Sequence, residues 1–325
     1  MKNVIYSNAR AKSLEKNLLS KERLLKMIEA PSTESAFKIL TEAGFGEGVH
    51  LDLNSSFEKP MLIEESKLKA FIKEVCPIED VKKYFLIESD FHNAEAYLKV
   101  KHLGISDEGL TVSDGVYNKL QIKEKILSDE YDIFFEELKN AIVSSEKLFI
   151  SGTATGKKIS QIFKKALFLA KKKFSCKNSI LSEIYSFEAD ATNVSIALRE
   201  RNFKALNESS VEGGVISEVE LKILSIESPE NLPLAIKNSK RKDLLDVAVK
   251  DFVDKKPLLG LENLSNSFAV RLLKKDKYNS EGLRPFLLYC FSKKNDIYNA
   301  RLIIALKSAD VEPVEIKSRL RDCYE

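Results

Sequence analysis

Tryptophan is absent from this 325-residue chain, and glycine and proline are scarce, at 12 and 8 residues. That is about half of ordinary usage and argues against the turn-rich connections of all-β sandwiches and barrels. Histidine occurs three times (His50, His92, His102) and cysteine four times (Cys76, Cys176, Cys290, Cys323). The cysteines lie far apart with no C-x-x-C pair, so neither a zinc site nor a disulfide framework is expected, and reduced cytosolic thiols are. A surplus of one charge is also missing: 52 basic residues face 49 acidic ones, a net +3. A dedicated nucleic-acid binder would be more basic. No apolar run approaches the roughly 18 residues of a membrane span. The opening "MKNVIYSNARAKSLEKNLLS" turns charged before a signal-peptide core develops. These absences predict a soluble, cytoplasmic chain.

What is abundant is Lys, Glu, Leu and Ile, which favour helices. From Ile159 onward, Ile159, Ile162, Phe163, Ala166, Leu167 and Ala170 follow the i, i+3, i+4 spacing of a one-sided helix. Similar stretches cover Leu18 to Ile28, Leu62 to Val75, Phe268 to Leu273 and Ile297 to Leu306. Sustained strand-type alternation is not found. The irregular connections, 44–56, 104–115 and 207–214, are short. The spacing predicts an all-α protein.

Internal repetition is the most informative feature. The tetrad Asp-x-x-Asn occurs as Asp90 to Asn93, Asp190 to Asn193 and Asp296 to Asn299, at offsets of 100 and 106. Each copy follows an aromatic-rich apolar segment ("KKYFLIES", "SEIYSFEA", "PFLLYCFSKKN") and leads into a helical run with basic residues. A second echo joins Ile28-Glu29-Ala30-Pro31 to Ile226-Glu227-Ser228-Pro229. Three helical repeats follow, over 1–110, 111–212 and 213–325. Two readings of the tetrad stand. An Asp that opens a helix caps its first N–H groups, and the Asn three places on reaches back as in a capping box. Alternatively, the three copies form a polar ring where the repeats meet a partner. One acid beside one neutral amide lacks the second carboxyl that acid–base catalysis would use.

"LFISGTATGKKIS" (148–160) looks at first like a phosphate-binding loop. The pattern G-x-x-x-x-G-K-[ST] needs four residues between its glycines, but Gly152 and Gly156 enclose three, and Lys158 stands where the magnesium-binding hydroxyl belongs. The stretch reads as a loop and helix start. Glycine recurs in "GFGEGVH" (44–50) without the G-x-G-x-x-G spacing, and "YFLIE" (84–88) reads as core helix. The three histidines are poorly spaced for a metal site. No catalytic residue, cofactor site or metal site is expected.

Between Lys147 and Ser182 there are nine lysines and no acid. Lys157, Lys164 and Lys171 are seven apart, as are Lys158, Lys165 and Lys172, so all six are expected on one basic stripe opposite the apolar face. The stripe reads either as a solvated helix face or as a docking surface for an acidic partner or anionic lipid headgroups. Aromatic residues do not interleave with the lysines, which argues against nucleic acid.

The opening "YSNARAKSLEKNLLSKERLLKMIEAPSTESAFKIL" and the closing "PFLLYCFSKKNDIYNARLIIALKSADVEPVEIKSRL", with the repeated tetrads, resemble the C subunit of the V/A-type rotary ATPases. The eukaryotic relative of that family is the d subunit of the vacuolar ATPase. In the closing segment Pro285 and Tyr289 precede the third tetrad, and Arg301 is expected to begin the final long helix. The resemblance runs from about Tyr6 to Leu320 and is least clear in the middle repeat. It implies a funnel-shaped arrangement of three pseudo-equivalent helical domains, peripheral to the membrane on its cytoplasmic side. Its partners would be the central-shaft subunits of the catalytic head and the membrane rotor ring of ion-carrying subunits. Its role would be torque transmission without chemistry. Two other functions remain distinct from this one: a helical scaffold unrelated to rotary motors, and a nucleotide hydrolase using 148–160.

Overall fold

The computed structural model describes residues 3–46, 57–237, 239–254, 257–275 and 281–325, and among them every regular element is helical. The chain begins with α1 (Val4–Leu14), a 3₁₀ turn (Glu15–Asn17), α2 (Lys21–Glu29), α3 (Thr33–Glu42), α4 (Lys59–Val75) and α5 (Glu79–Leu103). It continues through α6 (Lys119–Leu127), α7 (Glu136–Ile150), α8 (Gly156–Ser175), α9 (Ser179–Glu200) and α10 (Phe203–Ser209). It closes with α11 (Glu218–Ile226), α12 (Leu232–Ala235), α13 (Lys242–Val253), α14 (Leu259–Lys274), α15 (Arg284–Ser308) and α16 (Pro313–Ser318).

One order recurs. A helix of 9 residues (α2, α6, α11) is followed, after shorter or intervening helices, by one of 16 to 20 residues (α4, α8, α14). A helix of 22 to 25 residues (α5, α9, α15) then completes the set. The nine-residue helices share a start signal: Ser20, Asn118 and Ser217 each accept a hydrogen bond from a first-turn N–H, and Ser217 forms a full capping box with Glu220. The long helices share an ending. Gly104, Arg201 and Asp310, just past their last turns, all take positive φ (65°, 47° and 53°), the left-handed conformation that stops a helix.

By contacts the chain divides into two compact units, Met1–Ile78 with Glu262–Glu325, and Glu79–Leu261. In the first, α15 packs against α1, α2, α3 and α4, and Phe71 of α4 meets Phe286 and Tyr289 of α15 at ring distances of 5.7 and 5.1 Å. In the second, α8 packs on α5, α7 and α9, with Phe91 of α5 against Phe163 of α8. The long helices bury side chains around most of their circumference. A helix enclosed in this way carries no polar stripe, so its sequence loses the one-sided period.

Several expectations shift. The aromatic segment and the tetrad that follows it lie on one continuous helix in each copy, so no tetrad Asp opens a helix. Arg301 does not begin the final long helix but lies well inside α15, where its guanidinium meets Glu58, just before α4, and Glu65 of α4. The connection expected at 207–214 is helical as far as Ser209. Of the connection at 44–56, residues 47–56, with His50, lie outside the described residues.

Candidate functional site

The six tetrad residues are all buried, with Asp90, Asn93, Asp296 and Asn299 at 0% exposure. The capping reading is overturned, because the side chains bond to backbone far along the chain. Spacing of three puts Asp and Asn on one helix face. Each Asn grips both backbone groups of one distant residue. Asn93 accepts from the Val112 N–H (2.8 Å) and donates to the Val112 carbonyl (3.3 Å). Asn193 does the same with Val211 (2.8 and 2.8 Å), and Asn299 with Arg321 (2.9 and 2.9 Å). A primary amide is the side chain able to satisfy a donor and an acceptor together.

The carboxylates take the next step along the chain. Asp90 accepts from the Val116 and Tyr117 N–H groups (2.8 and 3.1 Å), Asp190 from that of Ile216 (3.0 Å), and Asp296 from that of Leu19 (2.8 Å). Tyr117, Ile216 and Leu19 each stand immediately before the residue that caps α6, α11 or α2. The tetrads therefore brace each long helix against the entrance of a nine-residue helix. For the third copy that helix comes from the N-terminal part of the chain. The approach is close: a Cβ on Gly115 would lie 2.3 Å from Asp90 Oδ1, and one on Gly214 2.1 Å from Asp190 Oδ1. Glycine is required at both places to admit the carboxylate. Asp190 also receives Arg241 Nε at 2.9 Å. Two of these partners had a sequence signal, glycine 25 and 24 places after the tetrad Asp; Arg241 had none.

The basic stripe needs correction. Lys171 is not on it: its side chain is 4% exposed and its ammonium lies between Glu88 of α5 (2.6 Å) and Glu188 of α9 (2.8 Å). Burial works against the charge, but Glu188 and Glu88 outweigh it and hold the pKa well above the usual lysine value. Glu88 and Glu188 each stand two residues before a tetrad Asp, within the matched flanks of the first two copies. The physical reason is that α5 and α9 both pack onto α8. The heptad position that is open at Lys157 is closed at Lys171. Lys157, Lys158, Lys164 and Lys172 are exposed and Lys165 is half-buried. Lys157 pairs with Glu200 (3.0 Å) and Lys172 with Glu212 (3.0 Å), and Lys158 reaches the Thr153 carbonyl (3.3 Å).

The other unit has its own buried pair, Lys293 of α15 with Glu64 of α4 at 2.7 Å, both side chains under 8% exposed. Burial raises the Glu64 pKa, but Lys293 and the Lys67 and Gly46 hydrogen bonds bring it below the usual carboxylate value. No sequence motif flagged either clamp.

Residues 148–160 form the last turn of α7, a turn with Gly152 at φ 66°, and the start of α8 capped by Thr155. A helix precedes the turn, where a phosphate-binding loop follows a strand. His102 stacks on Phe149 at 4.3 Å and meets Glu146 at 2.6 Å, and His92 faces the Leu110 carbonyl at 3.0 Å. Among the described residues no group of three or more His, Cys, Asp or Glu side chains could hold a metal ion, and no helix is long and apolar enough to cross a membrane.

An all-helical protein in which one helix order and one buried polar brace recur three times is thus defined. It belongs to the ATP synthase (C/AC39) subunit family, whose model matches residues 7–319. The C subunit of the V-type sodium ATPase of Enterococcus hirae is 22% identical over 327 residues, covering 96% of each chain. The C subunit of the A-type ATP synthase of Pyrococcus furiosus is 23% identical, covering 96% of this chain and 88% of its own. Its counterpart in Methanocaldococcus jannaschii is 21% identical, covering 97% and 85%.

Proposed function

We propose that this chain is the component of a V/A-type rotary ATPase or ATP synthase that couples the rotor shaft to the membrane ring. It carries torque and performs no chemistry of its own. The observation that carries this reading is the thrice-repeated brace. Buried carboxylates and amides fasten each long helix to the entrance of a nine-residue helix, which stiffens the molecule where a torque carrier would otherwise flex. Membership of the family and relatives aligned over nearly the full chain support it.

In this proposal the repeats 1–110, 111–212 and 213–325 are arranged as a three-fold pseudo-symmetric funnel on the cytoplasmic side of the membrane. The mouth receives the central-shaft subunits of the catalytic head, and the base rests on the rotor ring of ion-carrying subunits. The tetrads shape that socket from within, since their side chains are buried and each holds backbone of a distant segment. Any contact of α8 with ring or headgroups falls mainly to Lys158, Lys164 and Lys165, because Lys157 and Lys172 are paired within the chain. The test is co-purification from native membranes: the tagged chain is expected to bring down ring and catalytic-head subunits together. Recovery of neither would overturn the assignment in favour of an unrelated helical scaffold.

A further inference from the structure

The three braces are built alike but not finished alike. The Asp90 carboxylate takes two backbone N–H groups, and the Asp190 carboxylate takes one N–H and a guanidinium. Asp296 is equally buried and takes one N–H, that of Leu19; its Oδ1 has no hydrogen-bond partner. A buried ionised oxygen without a partner is costly, and the cost falls when the carboxyl takes a proton and loses its charge. The neighbouring groups supply only part of the missing compensation. Lys293, on α15 itself, is paired with Glu64 of α4. The C-terminal segment brings Cys323 and Glu325, and Lys274 of α14 and Lys21 of α2 act on the Cys323 thiol. Burial pushes the Asp296 carboxyl up to about 7; the Leu19 N–H and Lys293 oppose the rise and Glu325 adds to it.

This joint differs from the others in a second way. The backbone N–H groups held by Asp90 and Asp190 follow them within 30 positions, whereas Leu19 is 277 positions from Asp296. Once the Leu19 contact opens, no short stretch of chain returns the two sides to each other. We propose that the Asp296–Leu19 joint is a proton-operated latch, fastening the entrance of α2 to α15 when the carboxyl is protonated and loosening it when the carboxyl ionises.

The direction follows from linkage. The closed joint keeps its proton up to about pH 7, while an opened, hydrated Asp296 loses it near pH 4. Closure is therefore favoured by acid, and opening grows by about tenfold per pH unit between these limits and levels off above 7. Amide hydrogen exchange of the whole chain tests it, with intrinsic exchange rates divided out. Protection of the Leu19 amide is expected to fall by about tenfold per unit from pH 5 to pH 7, while the Val116 and Ile216 amides serve as references in the same molecule. In Asp296→Asn the side-chain oxygen still accepts from Leu19, and the pH dependence is expected to vanish. A flat Leu19 profile, an identical profile at all three joints, or an unchanged slope in Asp296→Asn would each overturn the latch. A carboxyl-carbon titration of the unmodified chain checks the same point without a variant: a midpoint near 7 supports it, and one below 5 contradicts it.

Discussion

At the scale of single residues, the tetrad asparagines hold segments of chain that have no helix of their own to satisfy them. Val211 lies in such a segment, and Asn193 pairs with both its N–H and its carbonyl. Asn193→Ala strands two buried backbone groups, and at about 1 to 3 kcal/mol each the loss in stability is expected at about 2 to 6 kcal/mol. Asn193→Asp keeps the acceptor but cannot donate to the carbonyl when ionised, so it is expected to cost at least as much. Denaturant unfolding measures both; a milder effect for Asp than for Ala would show that the amide donor is unimportant. Repetition made these residues legible, because the same two side chains recur near one period. Their role was not legible. The partners lie 18 to 22 positions away for Asn and from 26 to 277 for Asp. A local reading therefore offered a helix cap or a polar ring for a partner, and not a brace to distant backbone. The glycines opposite Asp90 and Asp190 carried a weak signal, which becomes specific only when a Cβ is seen to collide with the carboxylate.

At the scale of elements, α8 is held by a clamp rather than presented as a stripe. Its amphipathic period was plain in the sequence, and the helix starts at Gly156, three residues before the Ile159 from which that spacing runs. The burial of Lys171 was not readable, because it is decided by α5 and α9, which pack on α8 and bring Glu88 and Glu188 to its ammonium. Lys171→Met would leave Glu88 and Glu188 without their shared cation. The expected loss is about 2 to 3 kcal/mol, below that for a fully buried pair because both carboxylates are 35% exposed. Adding Glu88→Gln and Glu188→Gln is expected to restore most of it. Acid should help the single variant as well: two uncompensated carboxylates side by side have raised pKa values, so its stability deficit shrinks as pH falls from 7 toward 4. A deficit that is the same at both pH values, and is not relieved by the two Gln changes, would mean that Lys171 acts through packing alone. The long helices were the hardest elements to delimit, since α5 and α15 are apolar on several sides and their tetrads sit mid-helix.

At the scale of the whole molecule, the all-helical class was readable from composition and helical spacing, while the assembly context came from resemblance and then from family membership. The brace connects the two levels. Each long helix fixes the entrance of a nine-residue helix, and the third closes onto the N-terminal part of the chain, so the recurring order has no unbraced member. A molecule fastened in this way suits a mechanical task. The most direct measurement of that account is electron microscopy of the purified rotary complex containing this chain. The account predicts density for all three helical repeats between the foot of the central shaft and the membrane ring, rotating with the rotor among the imaged states. Density on the static periphery, or a complete complex that lacks the chain, would contradict it.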